Sequence, residues 1–238
     1  LQPELTPRRK SKLPLILGVL VVAAVIAVVA LLALGGGDSA STSPNAKGAH
    51  EGLRTALDDS SFDDSGNDTL RDCPLGDIDD LYAAVDAVIE IDSSVANGKV
   101  AQSAREQGDL PGFVSCERYA EDESLVDTGP TDIFFQAVLD PPRDYRGYIV
   151  DFAGDATDTH FDPSVAYRGG TVEMFCSVAK DDSGFTGCDA DWVDTKNKIA
   201  LNVFLGGADA TSEDAFAALK AVLPKMADNL AKVADSGR

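Results

Sequence analysis

The sequence has 238 residues, a formal net charge of −20 and four cysteines. So acidic a chain repels nucleic acid and anionic lipid head groups, and its polar surface attracts only cations or a basic partner. Read without any partner, the same charge is a solvated surface that keeps the protein in solution.

The first element is Leu13 to Leu34, LPLILGVLVVAAVIAVVALLAL, which carries no charged side chain. As a helix it is roughly 33 Å long, enough for a hydrocarbon core of about 30 Å. Arg8, Arg9, Lys10 and Lys12 stand just before it, whereas Asp38 follows it and the next base is Lys47. That asymmetry predicts a cytoplasmic basic tail over 1–12, a single transmembrane helix over 13–34 and an extracytoplasmic remainder. A cleaved signal peptide has the same basic start, but its apolar region usually runs only about 7–15 residues. No good A-x-A site follows the run, and no cysteine near its end is available for a lipid. Ala23, Ala27 and Ala30 make one face of the helix smooth enough for another helix to approach closely.

Residues 35–71 read as a flexible acidic linker. GGGDSASTSPNAKG has coil composition, DDSSFDDSGND is acidic and turn-rich, and AHEGLRTALDD between them has the spacing of a short helix through Leu53 and Leu57. Asp64-x-Gly66-x-Asp68 lacks the ligand order and closing Glu of an EF-hand. The extracytoplasmic domain is then placed at 72–236, enough for one core and hardly two.

Within that domain, Asp77 is an N-cap for a helix running to about Ile91, its apolar face being Ile78, Leu81, Tyr82, Val85, Val88 and Ile89. A short helix is expected around 100–107. Strands are expected at FVSCERY, at IFFQAVL and at 147–153, GYIVDFA. DATDTHFD, with His160 among Asp155, Asp158 and Asp162, reads as a solvated loop. TVEMFCSVA and GFTGCDADWV form a hairpin, and KIALNVFL turns Ile199, Leu201, Val203 and Leu205 inward. The last helix opens at Thr211-Ser-Glu-Asp214 and buries Phe216, Leu219, Leu223, Met226, Leu230 and Val233, with Pro224 expected to kink or split it. The fold class is α+β: an antiparallel sheet packed by an N-terminal and a C-terminal helix, preceded by one transmembrane helix.

Four cysteines in an oxidising compartment read as two disulfides, for which three pairings exist. Cys176 and Cys188 fall on opposite arms of one hairpin, which leaves Cys73 for Cys116.

Cys73 just before the first amphipathic helix, Cys116 in a C-E-R-Y strand, the late pair Cys176 and Cys188, and the terminal helix together resemble an actinobacterial group. These are envelope lipoproteins and extracellular sensor domains, similar in architecture to PsbP-like folds. The chain departs from the lipoproteins in having a spanning helix where their lipid-bearing cysteine would be. The resemblance implies a fold and carries over no site.

No G-x-S-x-G, C-x-x-C, H-E-x-x-H, G-x-G-x-x-G or phosphate-binding loop occurs, so hydrolase, thioredoxin-like, zincin and nucleotide-binding readings lose their support. The expected site inventory holds no catalytic residue, no metal, no cofactor and no evident small-molecule substrate. Trp192 and the cluster Tyr145-Arg146-Gly147-Tyr148 fit a ligand groove, although core packing explains them as well. Two function classes follow. The first is a non-catalytic single-pass accessory subunit of an integral membrane protein complex, with the actinobacterial respiratory cytochrome supercomplex as the candidate. The second is a membrane-anchored extracytoplasmic domain that holds a lipid, sugar or peptide between its sheet and a helix.

Overall fold

The computed structural model describes residues 43–89, 98–108, 110–119, 133–153, 157–179, 186–206 and 210–236. The expected spanning helix, with Ala23, Ala27 and Ala30, and the basic tail lie outside the described residues. Among the described residues no helix is long and apolar enough to cross a membrane.

Residues from Ser43 onward form one compact unit, so 43–71 of the expected linker belong to the folded unit, while 35–42 lie outside the described residues. Asn45 caps α1 (Ala46–Asp58) by accepting from the Gly48 N–H at 3.0 Å. Ala46, Ala49, Leu53 and Leu57 then recur at helical spacing and are all buried. Polar flanks gave the stretch a linker's composition, but this apolar stripe needs a partner, and α4 (Ser212–Ser236) supplies it. The two helices approach so closely that a Cβ on Gly52 would lie 1.7 Å from the Leu230 carbonyl oxygen. Downstream, β1 (Asn67–Leu70) is the edge strand of the sheet.

α2 (Ile78–Asp86) starts where expected, with the Asp77 carboxylate accepting from the Asp79 and Asp80 N–H groups. It buries Ile78, Leu81, Tyr82 and Val85 but ends early, leaving Val88 52 % exposed. The segment expected as a short helix is instead β2 (Gly98–Ala104), because β1 and β3 (Phe113–Tyr119) complete its hydrogen bonds on both sides. β4 (Ile133–Leu139) follows as expected. Residues 147–153, expected as a strand, belong to the helix α3 (Tyr145–Ala153). Asp144 makes the difference: its carboxylate accepts from the Gly147 N–H at 3.0 Å and so caps the first turn. That turn places Tyr145 and Ile149, one helical repeat apart, against the sheet.

The supposed loop around His160 is β5 (Thr157–Phe161), an edge strand paired with β7 (Gly170–Ala179). β6 (Val165–Tyr167) pairs with β7 as well. β8 (Thr186–Asp194) and β9 (Ile199–Gly206) complete an antiparallel sheet in the order β1-β2-β3-β4-β9-β8-β7-β5. α4 runs unbroken through Pro224, so of the expected kink or split the split does not occur. Its start is held by the Thr211–Asp214 pair, in which the Asp214 N–H donates to the Thr211 hydroxyl.

One sheet face carries Val114, Phe135, Leu201, Val203, Ala190 and Trp192 and packs beneath α1, α2 and α4 as the main core. The second face carries a smaller cluster around Tyr145, Ile149, Phe175, Val193 and Ala200, covered by α3. Both disulfides have the expected partners: Cys73–Cys116 ties the approach to α2 onto β3, and Cys176–Cys188 crosses the register pair of β7 and β8.

Candidate functional site

Strand alternation decides what the second sheet face presents. On β8 the residues facing the main core are Cys188, Ala190 and Trp192, so Asp189 and Asp191 turn the other way. The register then assembles a polar row across five strands: Ser115, Gln136, Asn202, Asp191 and Glu173. An apolar row lies on each side of it. Phe113, Val138, Ala200 and Val193 form one, and Phe134, Phe204 and Phe175 flank Asp189 in the other. Phe134 and Phe204 stack with centroids 4.6 Å apart.

Tyr145, Tyr148 and Ile149 of α3 stand over this surface and close it into a cavity of about 270 Å³. Asp189, Asp191, Asn202, Gln136 and Ser177 supply its polar lining. At the centre, Asn202 Nδ2 donates to both carboxylates, at 2.9 Å to Asp189 Oδ1 and 2.9 Å to Asp191 Oδ1. The Tyr145 hydroxyl donates to Asp191 Oδ1 at 2.7 Å. Asp191 is 2 % exposed and Asn202 3 %, yet Asp191 Oδ2 and Asn202 Oδ1 have no hydrogen-bond partner among the described residues. A buried acceptor left in this state costs about 1–3 kcal/mol, so the pair is a liability for folding alone.

The electrostatics follow from the burial. Loss of water pushes Asp191 up to about 7, against the opposing hydrogen bonds from Tyr145 and Asn202. Burial, with the charge of Asp191 second, also drives Asp189 well above the ordinary carboxylate range. Tyr145 is raised by its own burial and then by Asp191, and so remains a donor. Tyr148 is raised for the same two reasons. Glu173, directly across from Asp191, is matched by Arg146, whose Nε lies 2.5 Å from Glu173 Oε2. Asp189 and Asp191 have no such cation among the described residues. Two acids with little water, no counter-ion and a cavity in front of them are what a binding or proton-transfer site requires.

Of the residues singled out in sequence, Tyr145 and Tyr148 line this cavity, while Trp192 is fully buried and donates from Nε1 to the Tyr167 carbonyl. His160 is exposed on the edge strand, 3.4 Å from Asp158. Among the described residues no cluster of three acidic, histidine or cysteine side chains could hold a metal ion. The four cysteines are bridged as described. Arg8, Arg9, Lys10, Lys12, Ala23, Ala27 and Ala30 lie outside the described residues. Sequence reasoning missed Asp189, Asp191, Asn202 and Gln136. The available signal was D-A-D within a strand, facing N-x-F on its neighbour.

The chain matches no family model, and no curated protein or solved structure is significantly similar to it.

Proposed function

We propose that this is a non-catalytic ligand-binding or sensing domain, held at the outer face of a cell membrane by the helix read over 13–34. The observation that carries the proposal is the cavity between α3 and the sheet, whose lining includes a buried carboxylate and a buried amide that each keep an acceptor without a partner among the described residues. This is the arrangement in which a small ligand would complete a hydrogen-bonding set that the fold leaves incomplete. The resemblance to extracellular sensor domains belongs to the same proposal. The accessory-subunit reading is carried by the apolar run alone, whereas the cavity gives the ligand-binding reading an observation of its own.

A thermal-shift screen of the full chain in a non-ionic detergent tests it, using small molecules of each charge class. A ligand at a hundredfold excess over its Kd stabilises by about 2.7 kcal/mol, which raises Tm by roughly 5–10 °C for a domain of this size. The variant Gln136→Trp, which fills the cavity from β4, should abolish that shift. Stabilisation by no class of molecule, together with recovery of the chain in fixed stoichiometry with a membrane complex, would restore the accessory-subunit reading.

A further inference from the structure

We infer that the cavity beneath α3 takes an organic ammonium ion, with Asp189 and Asp191 as counter-ions and the surrounding rings as the wall for its apolar body. This rests on the ligand-binding reading and names the ligand class. Asp191 and Asn202 both line the cavity, and each keeps one buried acceptor, Oδ2 and Oδ1, without a partner among the described residues. A ligand that completes this set with the carboxylates ionised brings donors. Its charge is set by the ion pairing. Arg146 neutralises Glu173, while no lysine, arginine or histidine pairs with Asp189 or Asp191 among the described residues, and none lines the cavity. The missing charge is positive.

The walls decide between kinds of cation. Tyr145, Tyr148, Phe134 and Phe204 present ring surface, which attracts a cation and accommodates a hydrocarbon body. A hard divalent ion needs about six to eight oxygen ligands, and this lining supplies rings in their place. The volume is adequate. A cavity of about 150 Å³ holds benzene, so 270 Å³ admits an aromatic ring with a short aminoalkyl chain.

The groups facing the site are Asp189 and Asp191 on β8, Glu173 with its partner Arg146, and Tyr145 and Tyr148 on α3. With no cation present the aspartate pair retains a proton, and seating an ammonium ion displaces it.

Calorimetric titration of the full chain in non-ionic detergent, with 2-phenylethylamine, 2-phenylethanol and phenylacetate, separates one shape into three charges. The amine should bind at least about tenfold more tightly than the alcohol, and phenylacetate should not bind. Near pH 6, titrations in buffers of different ionisation enthalpy should report proton release with the amine and none with the alcohol. Asp189→Asn and Asp191→Asn, checked for native circular dichroism, should each weaken the amine about tenfold or more and so narrow its advantage over the alcohol. If either variant misfolds, proton release from the unaltered chain still decides the matter. A capped Gly-Phe-Lys-Gly peptide distinguishes sources: tighter binding than the amine assigns the ammonium to a partner's lysine, weaker binding to a free amine, and both support a cation. Alcohol or phenylacetate binding as tightly as the amine, or calcium chloride displacing it stoichiometrically, would overturn the ammonium while leaving the cavity a ligand site. Binding by none of the three probes would overturn the ammonium, and the thermal-shift screen then decides the ligand-binding reading by itself.

Discussion

Asp191 carries the clearest pH signature at the scale of single residues. Its carboxyl is held up at about 7 in the folded protein, chiefly by burial, whereas an unfolded aspartate titrates near 3.8. Between those values the folded chain keeps a proton that the unfolded chain has lost, so the contribution to stability falls as pH rises from about 4 to 7. The loss is on the order of a few kcal/mol and is complete above pH 7. Asp191→Asn should therefore leave the denaturant midpoint near its normal value at pH 4.5 and raise it at pH 8. Midpoints that fall in parallel for both proteins would show that Asp191 is not the titrating group. Tyr145→Phe should act oppositely, costing about 1–3 kcal/mol at pH 8, because Asp191 Oδ1 loses its hydroxyl donor. The residues of this site were hard to read in sequence because a strand with one buried face should turn polar side chains to water. Asp191 and Asn202 occupy the outward positions of β8 and β9, yet α3 covers that face and buries them as well.

Among the elements, the strands with strong alternation and the capped helices were legible: β3, β4, β7, β8, β9, the start of α2 and the start of α4 all lie where periodicity and capping put them. Errors fell where tertiary partners overrode local pattern. Residues 147–153 have strand composition, but the Asp144 cap and the Tyr145–Ile149 repeat commit them to α3. β2 has a helix-like sequence and is fixed by its two neighbours, while β5 is polar because it is an edge strand. α1 was legible as a short helix, but its polar flanks placed it in a linker and its close packing against α4 through Gly52 was not. Gly52→Leu places a side chain where the Leu230 carbonyl already lies, so it should destabilise by about 1–3 kcal/mol or more, read as a lower denaturant midpoint. An unchanged midpoint would contradict the α1–α4 crossing. The 43-residue separation of Cys73 and Cys116 sets a second expectation. Replacing both with serine should cost about 4 kcal/mol, seen as a lower midpoint under oxidising conditions and no difference after reduction.

At the scale of the whole molecule, the α+β class was legible from patterns within single strands and helices, and both disulfides from the β7–β8 hairpin, which leaves Cys73 for Cys116. The cavity was not, since it depends on the order of β4, β9 and β8 in the sheet and on the seat of α3 above them. Membrane attachment predicts that protease added to intact spheroplasts removes the folded unit beginning at Ser43 and leaves a short membrane-bound stub. A protein found free in the medium with a new N-terminus near Gly35 would contradict a retained anchor. On the proposed function, the covered sheet face, rather than the acidic surface, is where this protein meets its ligand. Amide chemical shifts of the full chain during titration with 2-phenylethylamine test that claim most directly. Saturable changes are expected, confined to 134–136, 145–149, 189–191 and 202–204, with Leu53 and Leu230 at the α1–α4 crossing unmoved. Small, unsaturable changes spread over the exposed aspartates, with those four segments silent, would contradict it.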